Sequence, residues 1–255
     1  AQSASFELEQ TYNLKVLSVI CLDDLIRFLK QSDQAEFIDS MESYRDEWGA
    51  EMFTGIVTEL GVVSSVKSNR GYSSISIKCS KKFLKRLKKG ASVAVNGVCL
   101  TSKNGSSEML QFDVIDETLS LTNLKQIKKG TKVNLERSMT VKTEIGGHLL
   151  SGHIHCEGTV SKVTKVSNQT KDMLITLPSK MMKYIFYKGY IGINGCSLTI
   201  GKVNKNSFFI HLIPETLKIT NLDELSEKSK VNIEIEQSTL ITVESVEKII
   251  AQKKV

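Results

Sequence analysis

The chain has 255 residues, of which 40% are hydrophobic and 24% charged, and its net charge is +6 at pH 7. This composition indicates a globular chain with room for two domains. The absence of a long apolar run and of a signal peptide argues against a membrane partner and favours a cytoplasmic location. An odd number of cysteines without a CxxC pair predicts reduced thiols, not a disulfide framework or a zinc ribbon. These are Cys21, Cys79, Cys99, Cys156 and Cys196.

Residues 1–51 predict a short strand–helix–helix tail. The apolar stretch "LKVLSVI" is typical of a strand buried on both faces, and the residues after it follow helical spacing. The apolar positions of the two predicted helices are Leu22, Leu25, Ile26 and Leu29, then Phe37, Met41, Tyr44 and Trp48. A strand of this kind needs parallel neighbours, and 51 residues are too few to supply a sheet.

The tail also resembles part of another family. The stretches "LEQTYNLKVLSVICLDDLIRFLK" and "MESYRDEWG" are similar to the carboxyl end of orotate phosphoribosyltransferase. The acidic pair and glycine-rich phosphate loop of that family are missing. We therefore expect residues 1–51 to be the remnant of a fused or mis-started reading frame, with Met52 as the original start. A genuine docking tail is the alternative.

The rest of the chain is a duplicated unit of about 97 residues. "VAVNGVCLTS" at 93–102 and "IGINGCSLTIG" at 191–201 keep a constant spacing of 98, which pairs Asn96 with Asn194. The pairs "DETLSLTNL" with "PETLKITNL" and "KVNLE" with "KVNIE" keep the same spacing. Alternating stretches such as "SSISIKC", separated by short polar turns, predict a closed β-barrel in each repeat.

Each barrel is predicted to carry one short helix. In "KKFLKRLKKG" at 81–90, Phe83, Leu84 and Leu87 share a helical face. The basic side of this segment is expected to be solvated; phosphate or nucleic-acid contact is the alternative, although no aromatic–basic alternation supports it. In 179–189 the apolar face is Met181, Met182 and Ile185. Val243, Val246, Ile249 and Ile250 predict a terminal amphipathic helix.

From Met52 onward the chain resembles riboflavin synthase. Five motifs carry the resemblance, in order: "MFTGIV", "VNGVCLT", "EIGGHLLSGH", "YKGYIGINGCSLT" and "HLIPETL". The resemblance implies an all-β fold of two tandem six-stranded Greek-key barrels with a C-terminal helix, assembled as a homotrimer. The expected domains are the tail at 1–51, barrels at 52–147 and 148–244, and the helix at 245–255.

The same resemblance implies a dismutation of two 6,7-dimethyl-8-ribityllumazine molecules to riboflavin and 5-amino-6-(ribitylamino)uracil. No metal or redox cofactor is implied, and association with lumazine synthase is an expected partnership. A reaction between identical molecules needs two similar facing sockets, which a duplicated barrel can provide. In the family, the first barrel of one subunit faces the second barrel of a neighbour. Proximity and orientation of this kind can supply roughly 7 to 11 kcal/mol.

The family pattern assigns binding residues to two sockets. For the first it implies Gly55, Ile56, Val57, Cys99, Leu100, Thr101, Asp113, Glu117 and Thr118. For the second it implies Gly152, His153, Ile154, Lys188, Ser197, Leu198, Thr199, His211, Leu212, Ile213, Pro214, Glu215 and Thr216. Phe53 and Ser92 complete the predicted set. The glycines and threonines also have a structural interpretation, as tight packing positions and ordinary strand residues.

The expected catalytic residues differ between the sockets. Cys99 offers a polarizable thiol, although a buried core thiol is the alternative, and Ser197 offers a hydroxyl. His148 is a candidate proton carrier, and Thr199 adds a second hydroxyl. Asn194 stands where the family pattern "IDGxSLT" has Asp. That position is either a general base or a turn residue, and Asn96 in the first repeat favours the turn.

The remaining histidines do not predict a metal site. His153 and His155 are expected on one strand face with Cys156 opposite, but no further ligand completes a coordination set. Two other functions stay open. A non-catalytic lumazine- or flavin-binding protein would keep the barrels and lose parts of the second socket. A nucleic-acid-binding barrel is the more distant alternative, because no aromatic stacking platform is evident.

Overall fold

The computed structural model describes residues 52–103, 109–140 and 143–252. Two six-stranded antiparallel sheets follow one another along the chain, with orders β4-β3-β6-β1-β2-β5 and β10-β9-β12-β7-β8-β11. The first contains β1 Glu59–Asn69, β2 Tyr72–Lys78, β3 Ser92–Val95, β4 Val98–Thr101, β5 Met109–Ile115 and β6 Lys132–Arg137. The second contains β7 Cys156–Lys165, β8 Lys171–Thr176, β9 Tyr190–Ile193, β10 Cys196–Thr199, β11 Ser207–Leu212 and β12 Lys230–Ile235. The predicted all-β, duplicated fold is confirmed.

The edges of each sheet approach each other after the fourth strand. Lys103 N donates to Gln111 O at 2.8 Å in the first sheet, and Gly201 N donates to Phe209 O at 2.7 Å in the second. Each sheet thereby curls around its own apolar core. The first pair of strands carries a register shift between Val63 and Ser65, and the second repeats it between Val160 and Lys162.

The helices before β3 and β9 are shorter than predicted. Helix α1 covers only Lys81–Leu84, and Arg86 then adopts a left-handed backbone with φ of 59°. The predicted apolar face is nevertheless buried, including Leu87. In the second repeat the equivalent segment is a 3-10 helix at Ser179–Tyr184, and Ile185 after it is buried.

Further helices connect the last two strands of each sheet. They are α2 Asp116–Leu121 with a 3-10 turn at Asn123–Gln126, and α3 Pro214–Ile219 with a 3-10 turn at Asn221–Glu224. The helix predicted over 245–255 is α4 and begins earlier, covering Gln237–Gln252. The carboxylate of Glu236 accepts hydrogen bonds from the backbone N–H groups of Ser238 and Thr239, which caps this start.

Six buried asparagines join the two barrels around a local pseudo-twofold axis. They are Asn96, Asn123 and Asn134 in the first repeat and Asn194, Asn221 and Asn232 in the second. Asn123 Nδ2 donates to Asn194 Oδ1 at 3.0 Å, and Asn221 Nδ2 donates to Asn96 Oδ1 at 2.9 Å. The two Asn–Gly turns meet at this axis so closely that a Cβ on Gly97 would lie 2.5 Å from Gly195 N. A fully bonded polar network of this kind specifies one arrangement of the barrels.

The segments before β1 and β7 are exchanged between the barrels. Phe53 and Leu150 pair with each other through two backbone hydrogen bonds of 2.8 and 2.9 Å. Beyond this bridge, Val57 joins the core of the second barrel, whereas Ile154 packs against the core of the first. Each barrel is therefore completed by chain that belongs to the other repeat.

Several expectations fall outside the described residues. Everything predicted for 1–51 lies there, including Cys21. The role of Met52 as a start stays a prediction. In the described part of the chain, no disulfide joins the other four cysteines. No helix among the described residues has both the length and the apolar character needed to cross a membrane.

Candidate functional site

The imidazole of His148 lies against the hydroxyl of Ser197. The distance from Nδ1 to Oγ is 2.6 Å, and the ring stacks on Tyr190 with centroids 5.3 Å apart. Burial lowers the pKa of His148, and the charge of Glu236 opposes that effect only in part. A neutral imidazole bonded to a hydroxyl is suited to proton transfer near pH 7. The Nε2 atom is buried and has no hydrogen-bond partner among the described residues.

The exchanged segments change the predicted division into sockets. Ser197 N donates to Gly55 O at 2.8 Å, and Cys99 N donates to Gly152 O at 3.0 Å. The expectation that Gly55–Val57 serves the first socket and Gly152–Ile154 the second is therefore wrong. The prediction assigned each segment to the barrel of its own repeat, but each segment contacts the other barrel before its own first strand begins. We call the two places the Ser197 site, with Gly55 and His148, and the Cys99 site, with Gly152.

Neither crossing segment has room for a side chain at its glycine. A Cβ on Gly55, where φ is +72°, would lie 2.6 Å from Ser197 Cβ. A Cβ on Gly152, where φ is +79°, would lie 2.5 Å from Cys99 Cβ. Gly147, just before His148, is as tightly placed, since its Cβ would lie 2.4 Å from the carbonyl oxygen of Thr54. Both sites therefore depend on close backbone approach.

Two buried glutamates hold the crossing segments. Glu136 Oε1 accepts from Thr54 N at 2.6 Å and from Thr54 Oγ1 at 2.8 Å, and its Oε2 accepts from Gly55 N at 3.1 Å. Glu234 repeats this pattern, with Oε1 accepting from Ser151 N at 2.6 Å and Ser151 Oγ at 2.9 Å, and Oε2 from Gly152 N at 3.1 Å. Burial raises the pKa of each carboxyl to about 7, and the hydrogen bonds oppose the rise.

The predicted strand-end residues divide between surface and core. Thr101 and Thr199 are exposed at the ends of β4 and β10, opposite Ser92 and Tyr190 in the neighbouring strands. Leu100, Leu198 and Leu212 place their side chains in the barrel cores. Only backbone atoms of these leucines can face a ligand. Phe53 is also buried, in the small cluster between the barrels.

The equivalent strands β5 and β11 carry different polar pairs. Asp113 Oδ1 accepts from Ser74 Oγ at 2.7 Å, and its other oxygen lies 2.6 Å from Lys103 Nζ. The hydrogen bond from Lys103 is the largest influence that lowers the pKa of Asp113. In the second barrel the pair is His211 with Asp172, at 2.6 Å between Nδ1 and Oδ1. The two barrels thus present different chemistry at equivalent positions.

The remaining predicted binding residues lie at helix starts and loops. Glu117 and Thr118 are in α2, whereas Pro214, Glu215 and Thr216 open α3. Ile56, Ile213 and Lys188 are exposed, and Lys188 Nζ lies 5.3 Å from the centroid of the Tyr187 ring. None of these side chains belongs to the hydrophobic core of either barrel.

Asn194 lies in the asparagine network between the barrels, and its side chain is not bonded to the Ser197 hydroxyl or the Cys99 thiol. It is 1% exposed, its Oδ1 accepts from Asn232 N at 2.9 Å, and its Nδ2 donates to Asn221 Oδ1 at 3.3 Å. Asn96 makes the equivalent bonds in the first repeat. With φ of 46°, Asn194 also occupies the left-handed turn position that Asn tolerates.

His153 and His155 are placed differently from the expectation. Both precede β7, which begins at Cys156, so they do not share a strand face. His153 is exposed, whereas His155 Nδ1 accepts from Ile235 N at 3.2 Å. Among the described residues, no three His, Cys, Asp or Glu side chains are grouped as a metal site would require.

Sequence reasoning missed Glu136, Glu234 and Tyr190. The two glutamates end the repeated stretches "KVNLE" and "KVNIE", so the duplication already marked them. They were hidden because a charged residue in an alternating strand is normally on the solvent side. Tyr190 carries no signal of its own, since its stacking partner His148 is distant in the sequence.

The lumazine binding domain family matches the chain twice, at residues 54–138 and 151–236. Riboflavin synthase of Escherichia coli (strain K12) is 41% identical over 203 residues, covering 80% of this chain and 95% of the relative. Riboflavin synthase of Bacillus subtilis (strain 168) is 39% identical over 183 residues, covering 72% and 84%.

Solved structures with the same fold include LumP in two complexes. LumP complexed with riboflavin has a TM-score of 0.66 at 32% identity, and LumP complexed with 6,7-dimethyl-8-(1'-D-ribityl) lumazine has 0.65 at 29% identity. Each of these two comparisons covers 72% of this chain and 98% of LumP. With two matched domains and relatives at about 40% identity, the chain belongs to the riboflavin synthase family.

Proposed function

We propose that the protein is a riboflavin synthase that converts two 6,7-dimethyl-8-ribityllumazine molecules to riboflavin and 5-amino-6-(ribitylamino)uracil. The observation that carries this proposal is the pair of pseudo-symmetric sites, one with a thiol and one with a hydroxyl backed by His148. Two similar sockets suit two identical reactants, and their differences give the reactants different fates. The relatives that are 41% and 39% identical to this chain are riboflavin synthases.

The residues of the Ser197 site suit the proton movements of such a transfer. His148 stays neutral near pH 7 because burial lowers its pKa. Through its 2.6 Å contact, it can take or return the proton of Ser197 Oγ. We assign proton transfer to the Ser197 site because His148 lies there. Positioning of the second lumazine is assigned to the Cys99 site, with Thr101 and Thr199 as polar contacts.

The proposal includes assembly as a homotrimer in the cytoplasm. Helix α4 supports it, because Ile241, Val246, Ile249 and Ile250 leave about half of their surface exposed in the single chain. Packing three such helices together would bury these side chains and bring the first barrel of one subunit to the second barrel of the next. Association with lumazine synthase, which would supply the substrate, is part of the same proposal. A metal, nucleic acid or membrane has no role in it.

A non-catalytic lumazine- or flavin-binding protein is the second candidate. The likeness to LumP in its lumazine and riboflavin complexes favours it. The intact His148–Ser197 pair favours the enzyme, because a binding protein has no need of a buried proton carrier. Identity points the same way, at 41% to the enzyme of Escherichia coli and 29 to 32% to LumP.

Incubation with 6,7-dimethyl-8-ribityllumazine as the sole substrate tests the proposal. We expect riboflavin to form, and we expect His148→Gln to slow its formation by about 100-fold, the lower range for loss of a general acid–base group. His155→Gln is the matched control, since His155 bonds only to the backbone near Ile235. Tight binding without turnover would support the second candidate, and no binding would refute both.

A further inference from the structure

Glu136 and Glu234 have no part in the chemistry described above, yet both are buried and pseudo-symmetric. Their exposed fractions are 5% and 4%, and each carboxylate accepts three or more hydrogen bonds from one short segment. Such donors would be unsatisfied without the carboxylate, because neither segment is paired in a regular ladder at these positions. Each glutamate therefore fixes where its segment lies.

The segment that each glutamate holds serves the opposite barrel. Glu136 belongs to β6 of the first barrel and holds Thr54 and Gly55. The carbonyl of Gly55 then accepts from Ser197 N, in the second barrel, at 2.8 Å. Glu234 belongs to β12 of the second barrel, and through Gly152 it bears on Cys99 in the first.

We propose that Glu136 and Glu234 are positioning residues that act crosswise, Glu136 setting the geometry of the Ser197 site and Glu234 that of the Cys99 site. The close packing makes the connection stiff, since a Cβ on either glycine would already overlap the residue beyond it. A shift of the segment is thus passed directly to Ser197 or Cys99. The catalytic consequence rests on the proposed function, whereas the crosswise geometry does not.

The two glutamates also differ in what they control. The Gly147–His148 stretch packs on the same segment as Glu136, because a Cβ on Gly147 would meet the carbonyl of Thr54. Glu136 therefore supports both members of the His148–Ser197 pair. Glu234 holds Ser151 and Gly152, and the carbonyl of Gly152 lies beside the Cys99 backbone.

The test uses two ligand-free readouts, one for each site, in the full-length variants Glu136→Gln and Glu234→Gln. The ring resonances of His148 in NMR spectra report the Ser197 site. The rate of Cys99 alkylation, followed by peptide mass spectrometry, reports the Cys99 site. We expect Glu136→Gln to shift the His148 resonances and to change the Cys99 rate by no more than about twofold, the size of a weak coupling passed through the Phe53–Leu150 bridge. Glu234→Gln should do the reverse.

Milder variants and a functional arm complete the test. Thr54→Val and Ser151→Ala remove the hydroxyl donor to each carboxylate, together with the acceptor for the backbone N–H of Ile56 or His153, and keep the carboxylate itself. They should give the same crossed pattern at smaller size. Single-turnover riboflavin formation should fall at least about tenfold in both glutamine variants, since small misplacements are costly. An uncrossed pattern, or equal effects on both readouts, would overturn the crosswise proposal. Absence of riboflavin formation by the unmodified chain, with the crossed pattern intact, would instead refute the proposed function.

Discussion

At the residue scale, Asn194 separates turn chemistry from catalysis. Its side chain is bonded to Asn232, Asn221 and Asn123, and Asn96 makes the matching bonds in the first repeat. A group that is 1% exposed and fully bonded is poorly placed to act as a base. The structure thus gives a physical reason why an amide serves at a position where the family pattern has a carboxylate.

Asn194→Asp is expected to change the single-turnover rate by less than roughly tenfold, below the range of a lost or gained general base. It should lower the free energy of unfolding by about 1–3 kcal/mol, because a buried carboxylate replaces the donor to Asn221 Oδ1. Asn96→Asp is the matched control and should behave alike. A rate gain of several hundredfold in Asn194→Asp alone would make this chain an impaired enzyme.

The two glutamates predict a defined pH dependence of stability. Burial raises the folded-state pKa of Glu136 from 4.5 to about 7, so the folded chain holds this proton more tightly than the unfolded one. The stabilisation is fully present below about pH 4.5 and is lost as the pH rises through 7, at up to about 1.4 kcal/mol per pH unit. Two titratable groups interact electrostatically with Glu136, namely Glu234 and Cys196. The Cys196 thiol stays neutral over this range, because burial raises its pKa to about 12.

Urea unfolding of the unmodified chain and of Glu136→Gln, from pH 4.5 to 8, measures this effect. The free energy of unfolding of the unmodified chain minus that of Glu136→Gln should decline as the pH rises. Taking this difference cancels the opposite contributions of His148 and His155, which both proteins share. A difference that is flat, or that grows with pH, would contradict the assignment.

At the element scale, the crossing segments and the linker before the second barrel decide the geometry of the sites. Residues 53–57 and 150–154 leave their own repeats, pair at Phe53 and Leu150, and end against Ser197 and Cys99. The Gly146–Gly147–His148 stretch then lies over the first of these segments. Two adjacent glycines in that linker have very different surroundings.

Gly147→Ala should reduce riboflavin formation by at least about 100-fold, the cost of roughly an ångström of misplacement. Its Cβ would lie 2.4 Å from Thr54 O and 2.7 Å from Ser197 Cβ, so His148 and Ser197 must separate. Gly146→Ala is the control, because its Cβ would meet Ile56 only at 3.5 Å. Single-turnover rates of both variants test this, and equal rates would show that the linker does not set the site.

The sequence predicted the barrels, the Asn–Gly turns and most of the apolar positions, because repeat register and alternation are local signals. It could not predict the crossing, since the 97-residue alignment of Gly55 with Gly152 holds whichever barrel each glycine contacts. It overestimated α1, which ends where Arg86 turns left-handed. Glu136 and Tyr190 were missed because their importance comes from contacts between distant parts of the chain.

At the scale of the whole molecule, helix α4 leaves an apolar face uncovered. Val243 packs on the second barrel, whereas Val246, Ile249 and Ile250 are about half exposed. Full burial of such a side chain is worth about 1.5–3 kcal/mol, so covering the exposed half of each contributes roughly half of that. A sixteen-residue helix that offers three or four of them is consistent with a modest contact in the proposed trimer.

Ile249→Lys should therefore weaken assembly and lower specific activity, most strongly at low protein concentration. Lys248→Ala is the control, because this residue lies beside Glu244 on the charged side of the helix. Sedimentation velocity and activity across a dilution series measure the two effects together. A fully active monomer would contradict the proposal that sites are shared between subunits.

The most direct test of the central claim is the mass balance of a reaction that contains only the protein and 6,7-dimethyl-8-ribityllumazine. Two similar sites acting on two identical molecules predict that two lumazines are consumed for each riboflavin and each 5-amino-6-(ribitylamino)uracil formed. Chromatography with absorbance detection gives all three amounts. Lumazine that is bound and recovered unchanged, or riboflavin in any ratio other than one for every two lumazines consumed, would contradict the account.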